Sequence, residues 1–344
     1  MLLLLAGCKE PPSLVAPPAP GDPPIDDTQD ETGGNDHTDC VAGIASTFPE
    51  PDATGVYYRT AIDVRFTQDE TAASASLSLA TAGGDDVAGT VTFDGRNARF
   101  AWSAPLSPNT EYVLAVDYSC DRTATVGFTT SFVGAPINAT SIIGSVYHID
   151  LGDPDIRIVD PPGVGDLLGG LLADQDVPAI LVSPDVYDEV EDALTMIGTI
   201  GANGAIQQDT CTESIVFPDP ADYGQNPYFE VAGESLEIAA AGVVISLERI
   251  GLSGAFAPDG SAIAGARLSG KVDTNALGDL VGDLGDVCQL VAGFGVQCKE
   301  CSPGGPVTCL TLVADNITAA RVSTDGLIEI TAEDIAADEA CEEN

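Results

Sequence analysis

Four of the nine cysteines lie close enough in the sequence to bind one metal ion or to form disulfides. They are Cys288, Cys298, Cys301 and Cys309. The CxxC pair at 298–301 supplies two thiolates from one turn, as in structural zinc sites with four cysteine ligands. The other two cysteines lack such a short spacing, which weakens the zinc interpretation. A thioredoxin-like redox role is weaker still, because that chemistry needs a helix start and a Pro- and Gly-rich loop follows Cys301.

Histidine-based catalysis has one candidate residue. Of the two histidines, His37 lies in a Pro- and Asp-rich segment and His148 lies in the strand-like segment 146–150. A catalytic triad that uses a histidine base would therefore need His148. A lone histidine on a strand more often satisfies a local hydrogen bond than catalyses a reaction. The sequence also lacks a Gly-x-Ser-x-Gly elbow, a phosphate-binding glycine loop and a His-Glu-x-x-His helix, so we predict that the chain is not an enzyme.

One cluster of carboxylates suggests a cation. Its members are Asp150, Asp153, Asp155 and Asp160. They surround a Gly-Pro loop, and hard oxygen ligands on a loop suit calcium. The spacing does not follow the EF-hand pattern, and carboxylates are frequent throughout this chain, so a solvated acidic loop is the favoured interpretation. We predict no cofactor and keep calcium as the alternative.

The composition excludes one class of partner. The 344 residues include 12 Lys and Arg against 54 Asp and Glu, which gives a formal net charge of -42. So strong a negative field repels nucleic-acid backbones, and we expect no nucleic-acid partner. Hydrophobic residues make up 44% of the chain, and 37 Gly and 23 Pro interrupt the apolar runs in the manner of a folded all-β protein. The length fits about two domains.

The amino terminus carries a targeting signal. Residues 5–8, Leu-Ala-Gly-Cys, end an apolar run and resemble the lipobox of bacterial lipoproteins. The resemblance implies that residues 1–7 are the remnant of a signal peptide and that Cys8 is acylated after cleavage. The run lacks a basic n-region, so we expect the start codon to lie upstream. Lys9 follows the cysteine, which in Gram-negative members of the family resembles sorting to the outer membrane.

Residues 8–39 are predicted to be a linker. Seven prolines come first and a series of acidic residues follows, and such a composition stays extended because it buries little and repels itself. The longest apolar run elsewhere, Ile238 to Leu247, is much shorter than the ~20 residues of a membrane-spanning helix. The lipid is therefore the expected link to the membrane partner.

The lipid anchor also changes the cysteine count. Acylation of Cys8 leaves eight cysteines, an even number in an oxidising compartment, which favours four disulfides over zinc. Cys40 and Cys120 bracket the first predicted domain and are expected to pair with each other. The other six allow fifteen connectivities, which the sequence leaves open. They are Cys211, Cys288, Cys298, Cys301, Cys309 and Cys341.

Residues 40–133 show short strand-like runs separated by turns. Polar and apolar residues alternate at Ile62–Phe66 and at Phe100–Trp102, which predicts a β-sandwich. The loop 106–112 enters a late strand and ends in Tyr112, which matches the tyrosine corner of immunoglobulin-like sandwiches. With the turn at 49–56, the segment resembles bacterial Ig-like domains of surface-layer and cell-surface proteins. The resemblance implies a spacer or protein-binding module without catalytic residues.

Residues 137–344 are predicted to form a second, larger antiparallel β domain, either a sandwich or a barrel. The strand candidates are Ile142–Leu151, Ala179–Val182, Leu194–Ile200, Phe229–Val231, Leu236–Ile238, Val243–Leu247, Ile263–Val272 and Thr308–Val313. An Asp-Gly turn at 259–260 is expected to join two of them. Helical spacing of apolar residues predicts an amphipathic helix at 275–292, attached to the sheet through Cys288, and a shorter one around 167–172. We recognise no family here.

The fold class predicted is therefore mainly β, with an Ig-like sandwich followed by a disulfide-rich β domain. The predicted function is that of a non-enzymatic, lipid-anchored cell-envelope protein with a binding, adhesion or structural role, whose partners are the membrane and an envelope or surface protein. Two alternatives remain open. A large internal cavity in the second domain would favour a carrier of an apolar ligand, and a cleft around His148 would favour a secreted hydrolase.

Overall fold

The structure is a computed structural model, and it describes residues 41–153, 155–161, 179–202, 206–240, 243–275, 287–293 and 296–341. The predicted signal remnant, linker, lipidation site and short helix around 167–172 lie outside these residues. His37 and Cys40 also lie outside them.

Strands dominate the described chain. In order they are β1 (Ile44–Phe48), β2 (Ala53–Val56), β3 (Ile62–Phe66), β4 (Ser76–Thr81), β5 (Asp86–Val87), β6 (Gly89–Asp94), β7 (Asn97–Trp102), β8 (Glu111–Tyr118), β9 (Arg122–Thr130), β10 (Val146–Ile149), β11 (Arg157–Asp160), β12 (Ile180–Asp188), β13 (Ala193–Ile200), β14 (Ile215–Val216), β15 (Ala221–Asp222), β16 (Tyr228–Ala240), β17 (Val243–Phe256), β18 (Ala262–Asp273) and β19 (Cys309–Ser323). Two short helices are α1 (Val287–Ala292) and α2 (Ala332–Ala337), and single 3-10 turns lie at Ala139–Ser141 and Glu339–Cys341. The mainly β prediction is confirmed.

Strands β1 to β9 form a sandwich of two sheets. One sheet has the order β1-β3-β7-β6 and the other has the order β2-β9-β8-β4-β5. The β2–β9 pair is parallel, and the other pairs in the sandwich are antiparallel. Alternate residues of β3 are buried, so Ile62, Val64 and Phe66 face Leu114 and Phe128 across the core. The predicted alternation therefore positions one apolar face per sheet.

The tyrosine corner is present as predicted. The Tyr112 hydroxyl accepts a hydrogen bond from the backbone N–H of Ser107 at 2.8 Å. Its ring is buried and stacks on Phe128, with the two ring centroids 5.7 Å apart. Trp102 is half-buried and packs against the same core, and its indole N–H donates to the carbonyl of Thr60 at 2.9 Å. Tyr112 belongs to the sandwich core, and Trp102 packs against it.

Strands β10 to β19 form one large antiparallel sheet. Its main order is β14-β13-β12-β10-β19-β18-β17-β16, with β11 added beside β19 and β15 beside β13. The last strand, β16, comes back into contact with β13, β14 and β15 at the first edge, so the sheet is barrel-like and nearly closed. Fully buried aromatic side chains fill its interior, and Phe256 contacts the rings of Tyr147, Tyr223 and Phe229.

Several predicted strands have different bounds. The candidates at Phe229–Val231 and Leu236–Ile238 belong to one long strand, β16, and the candidate that begins at Thr308 extends to Ser323 in β19. The candidate at Ile142–Leu151 shortens to β10 because a 3-10 turn precedes it. The predicted Asp-Gly turn joins β17 and β18, and Gly260 has the positive φ of 68° that such turns need.

The predicted helix at 275–292 is described only in its last part, where α1 buries Val287 and Val291. The short helix α2 was not predicted, although Thr331 and Asp334 form a capping box at its start. α1 carries Cys288, which bonds to Cys298, and α2 is followed by Cys341, which bonds to Cys211 before β14.

Three disulfides lie in the second part of the chain. They join Cys211 to Cys341, Cys288 to Cys298, and Cys301 to Cys309. Cys120 is also disulfide-bonded. The expected bond from Cys288 to the sheet is indirect: Cys288 bonds to Cys298, and the next residue, Lys299, pairs with Cys309 at the start of β19.

Candidate functional site

The sandwich and the large sheet share a buried junction. Tyr57, in the loop after β2, lies against Gly265 of β18, and a Cβ at Gly265 would overlap the Tyr57 ring. Gly265 also has a φ of +57°, a backbone conformation that is strained for residues with a side chain. Ala255 and Ala257 from the large sheet are buried within the same apolar cluster as the sandwich core. From Val41 onward the chain forms one compact unit, so the limits of two separate domains stay a prediction.

A row of ion pairs crosses the same junction. Asp63 of β3 pairs with Arg99 of β7 at 2.7 Å and with Arg157 of β11 at 3.3 Å. Arg157 in turn makes two hydrogen bonds of 3.0 Å to Asp315 of β19, which fixes its guanidinium in a two-pronged contact. The guanidinium also lies over the ring of Phe48, 3.3 Å from the ring centroid. Charged side chains from the sandwich and from the large sheet therefore hold one another in place.

The pKa shifts follow from this arrangement. Burial raises the pKa of the Asp315 carboxyl above its ordinary value, and the attraction of Arg157 offsets only part of that effect. The hydrogen bond to Asp63 raises the pKa of Arg99, which keeps this guanidinium charged. Breaking one member of the row would leave a partly buried charge without its partner, which is costly.

Two adjacent clefts open along the junction. The ion-pair cleft, of about 510 Å³, is lined by Asp63, Arg65, Arg99, Arg157, Asp160 and Arg267 among others. The aromatic cleft, of about 380 Å³, is lined by Tyr57, Arg59, Trp102, Tyr228, Arg267 and Asn316 among others. Arg99 and Arg267 line both clefts. Five of the 12 basic residues of the chain therefore meet here.

Arg59 is held rigidly at the aromatic cleft. Its guanidinium lies 3.8 Å from the ring centroid of Tyr228, and it donates to the side-chain oxygen of Gln225 at 2.6 Å. A further hydrogen bond of 3.2 Å reaches the hydroxyl of Tyr58. The side chain of Arg267, by contrast, is exposed and forms no hydrogen bond or ion pair within 4.0 Å with a described residue, and its charge attracts the Asp315 carboxylate at longer range.

Tyr57 adds a buried hydroxyl to the wall of the aromatic cleft. The residue is 8% exposed, and its hydroxyl has no hydrogen-bond partner among the described residues. Burial raises the pKa of Tyr57 well above its usual range, so the phenol stays protonated and keeps a donor.

The structure does not assemble a catalytic centre around His148 from the residues it describes. His148 lies on β10 between Leu181 and Ala320 of the neighbouring strands and is half-buried. Its side chain makes no hydrogen bond to another described residue. The interior of the large sheet, where the carrier alternative needs its cavity, holds packed aromatic side chains in the part described.

The carboxylates proposed as calcium ligands mostly bond to their own loop. Asp150 accepts a hydrogen bond from the backbone N–H of Gly152, and Asp153 accepts one from that of Asp155, both at 2.9 Å. Asp160 lies on β11 and lines the ion-pair cleft. Within the described ranges, no group of three or more His, Cys, Asp or Glu side chains could hold a metal ion.

The four clustered cysteines form two disulfides with each other, and this excludes the alternative of a four-thiolate zinc site. The preference for disulfides is confirmed for the three bonds that the structure describes. The cleft residues Arg59 and Arg267 were missed by sequence reasoning. The scarcity of basic residues is a signal that could have drawn attention to them, but their sequence positions give no sign that they meet.

The comparison with protein families bears on the sandwich. Residues 42–133 match the model of the bacterial Ig-like domain. This segment is a bacterial Ig-like domain. The match agrees with the resemblance stated from the tyrosine corner and the strand pattern. Among curated proteins, no match to the chain is found.

Solved structures show low overall likeness to the chain. PcoC, a methionine-rich copper resistance protein from Escherichia coli, has a TM-score of 0.24 and 20% identity over 26% of this chain and 98% of PcoC. Domains 1–6 of the surface layer protein SbsC have a TM-score of 0.24 and 12% identity over 68% of this chain and 39% of that chain. Likeness at these values supports no conclusion about function. No helix in the described ranges is long and apolar enough to cross a membrane.

Proposed function

We propose that this chain is a non-enzymatic, lipid-anchored protein of the bacterial cell envelope that acts by binding, with its recognition surface at the junction of the Ig-like domain and the large sheet. The observation that carries the proposal is the junction itself. At the junction, the surface of the Ig-like domain is covered by the large sheet. Tyr57 lies against Gly265, and Ala255 and Ala257 are buried in the sandwich core.

A shared core and a row of ion pairs support a rigid unit. A rigid unit binds with less loss of conformational freedom than two domains on a flexible linker, so the junction is suited to present fixed contacts to a partner. The two clefts lie along this line and are lined by five arginines and several aromatic side chains, and Arg59 and Arg157 are held by neighbours from both regions. Binding sites are frequent at such boundaries between folded regions.

The proposed anchor is the acylated Cys8, followed by the acidic, Pro-rich linker to residue 39. Lipid attachment at that position would hold the folded unit away from the bilayer. Lys9 after the cysteine supports the outer membrane as the proposed location, by resemblance to Gram-negative lipoproteins. An envelope or surface molecule is the proposed partner.

Fractionation tests the anchor. In cells that express the gene with its complete signal, Cys8→Ala should move the protein from the membrane to the soluble fraction. Lys9→Asp is the matched control, because it leaves the acylated cysteine intact and should keep the protein in a membrane fraction. Equal distribution of the wild type and Cys8→Ala would contradict lipid anchoring.

An activity panel tests the non-enzymatic part. Purified protein should not turn over ester, peptide or glycoside substrates, and His148→Ala should leave this result unchanged. Turnover that disappears in His148→Ala, while the melting temperature stays at the wild-type value, would favour a hydrolase instead.

A further inference from the structure

We infer that the aromatic cleft binds a sugar residue that carries a single carboxylate, within a mostly neutral glycan. This inference rests on the proposed binding function and names its ligand class. The site combines two arginines that form no ion pair within 4.0 Å with a described residue, one from the sandwich and one from the large sheet, with aromatic and amide side chains in the same cleft.

The aromatic cleft is locally basic. Three arginines and one aspartate line the aromatic cleft, although acidic residues outnumber basic ones by 54 to 12 in the chain. Asp315 already pairs with Arg157, and Arg99 already pairs with Asp63. Arg59 and Arg267 have no acidic partner within ion-pair distance among the described residues. An anion in the cleft that reaches both guanidinium groups would form charge-assisted hydrogen bonds to each of them.

The net charge of the whole chain limits how many negative charges a ligand can carry. A formal charge of -42 repels a ligand with many negative charges, such as a nucleic acid or a polyuronate. Salt screens this repulsion beyond about 8–10 Å, so a single carboxylate can reach the two arginines once it lies in the cleft. The charge balance therefore favours one anionic group on an otherwise neutral molecule.

The other side chains that line the aromatic cleft suit a sugar ring. Trp102 provides a ring surface on which the C–H face of a sugar ring can pack, whereas one face of the Tyr228 ring is covered by Arg59. Thr60, Ser253 and Asn316 provide hydroxyl and amide groups that can exchange hydrogen bonds with sugar hydroxyls. A volume of about 380 Å³ lies in the range of small-ligand sites. A peptide with one acidic and one aromatic side chain offers the same two contacts but fewer hydroxyl groups to Thr60, Ser253 and Asn316, so it is the competing ligand in the test.

The Arg59 side chain is preorganised for binding. Arg59 is fixed by the Tyr228 ring, Gln225 and Tyr58 before any ligand binds, so little side-chain freedom is lost there. Tyr228 and Arg267 belong to the large sheet, whereas Arg59 and Trp102 belong to the sandwich. A ligand that contacts both sets should stabilise the junction as well as fill the cleft.

The test is a titration of the full chain by calorimetry. The probe is a trisaccharide with one terminal glucuronic acid, compared with its methyl ester, which has the same rings without the charge. We expect the acid to bind and to raise the melting temperature, and the ester to bind at least about tenfold more weakly. Arg267→Gln should weaken binding of the acid by a similar factor.

Arg249→Gln is the matched control, because Arg249 is also an exposed arginine on the large sheet and lines neither cleft. It should leave the affinity unchanged. The Arg267 side chain is exposed and forms no hydrogen bond or close ion pair with a described residue, so its replacement should disturb folding little. If Arg267→Gln nevertheless fails to fold, Arg59→Gln gives the same comparison.

Three results would overturn the inference: equal binding of acid and ester, equal binding by wild type and Arg267→Gln, or no binding of the acid. Equal or tighter binding of an acetylated peptide with one acidic and one aromatic side chain would also overturn it, in favour of a protein ligand. None of these results affects the fractionation of Cys8→Ala, so a wrong ligand class and a wrong anchor are distinguishable.

Discussion

The Ig-like domain and the large sheet form their hydrophobic cores in different ways. Sandwich strands are short and alternate buried and exposed residues, and local devices such as the Tyr112 corner fix their connections. In the large sheet, β16 to β19 each run for 12 to 15 residues, and pairing between long neighbours defines the barrel-like shape. The comparison shows that the sandwich is specified by local patterns, whereas the sheet depends on contacts between distant residues.

The disulfides show the same contrast between long-range and local contacts. Cys211 and Cys341 are 130 residues apart, and their bond ties the end of the chain to the segment before β14. Cys301 and Cys309 are 8 residues apart and close a small loop before β19. Cross-links over long loops restrict the unfolded chain more than cross-links over short loops. The long-range bond is therefore the one on which the large sheet should depend most.

The largest expected effect is the loss of this long-range disulfide. The chain-entropy model gives about 5 kcal/mol for a 130-residue loop and about 2.5 kcal/mol for an 8-residue loop. We expect Cys211→Ala with Cys341→Ala to lower the free energy of unfolding by about twice as much as Cys301→Ala with Cys309→Ala. Urea unfolding under oxidising conditions measures both. Equal losses would show that the long-range bond does not hold the large sheet together.

A substitution at the junction should have the next largest effect. Gly265→Ala adds a Cβ that overlaps Tyr57 and also strains a positive φ, so we expect a loss of about 3 kcal/mol. Gly55→Ala is the matched control, since Gly55 also has a positive φ, +74°, but a Cβ there would meet nothing within 4 Å. It should lose only about 1–2 kcal/mol, from strain alone.

The two glycine variants also test whether the regions unfold together. If the junction couples them, tryptophan fluorescence from Trp102 and far-ultraviolet circular dichroism should report a single transition in the wild type and in Gly55→Ala. Gly265→Ala should lower that transition or separate it into two. Equal stability of the two variants would mean that the junction contributes little, and that the regions are independent.

The sequence predicted the sandwich better than the site. Strict alternation at 62–66 and the Tyr112 loop are local signals, and both appear in the structure as expected. The large sheet was predicted in kind, but its strands are longer than their apolar runs, because neighbour pairing extends β16 and β19 through Gly, Ser and Asn residues that propensity disfavours. Arg59 and Arg267 meet only through the tertiary fold, which no spacing rule encodes.

A buried carboxylate should give the sandwich a stronger pH dependence of stability than an exposed carboxylate gives a turn of the large sheet. Glu70 is 2% exposed and accepts hydrogen bonds from the Ser74 hydroxyl at 2.7 Å and the Ser119 hydroxyl at 2.8 Å. Burial alone would raise the pKa of Glu70, but these hydrogen bonds outweigh it and lower the pKa below its ordinary value of 4.5. Asp259, in the turn between β17 and β18, also has a lowered pKa because it accepts from Ser261, but it is exposed.

The smallest expected effect is therefore a difference between Glu70→Gln and Asp259→Asn that depends on pH. A folded-state pKa below the unfolded value adds stability above the unfolded pKa, and this stability is lost as the pH falls through the folded pKa. Glu70→Gln should lose about 1–2 kcal/mol at pH 7, because two hydrogen bonds to a buried charge are weakened. The loss should shrink below about pH 4.5, where the unfolded chain begins to take up a proton that Glu70 in the folded protein resists. Asp259→Asn should change the stability less at pH 7, because water screens its charge. Chemical unfolding of both variants from pH 7 to pH 3 measures the difference. If the stability lost in Glu70→Gln stays constant with pH, the carboxylate charge of Glu70 does not stabilise the sandwich.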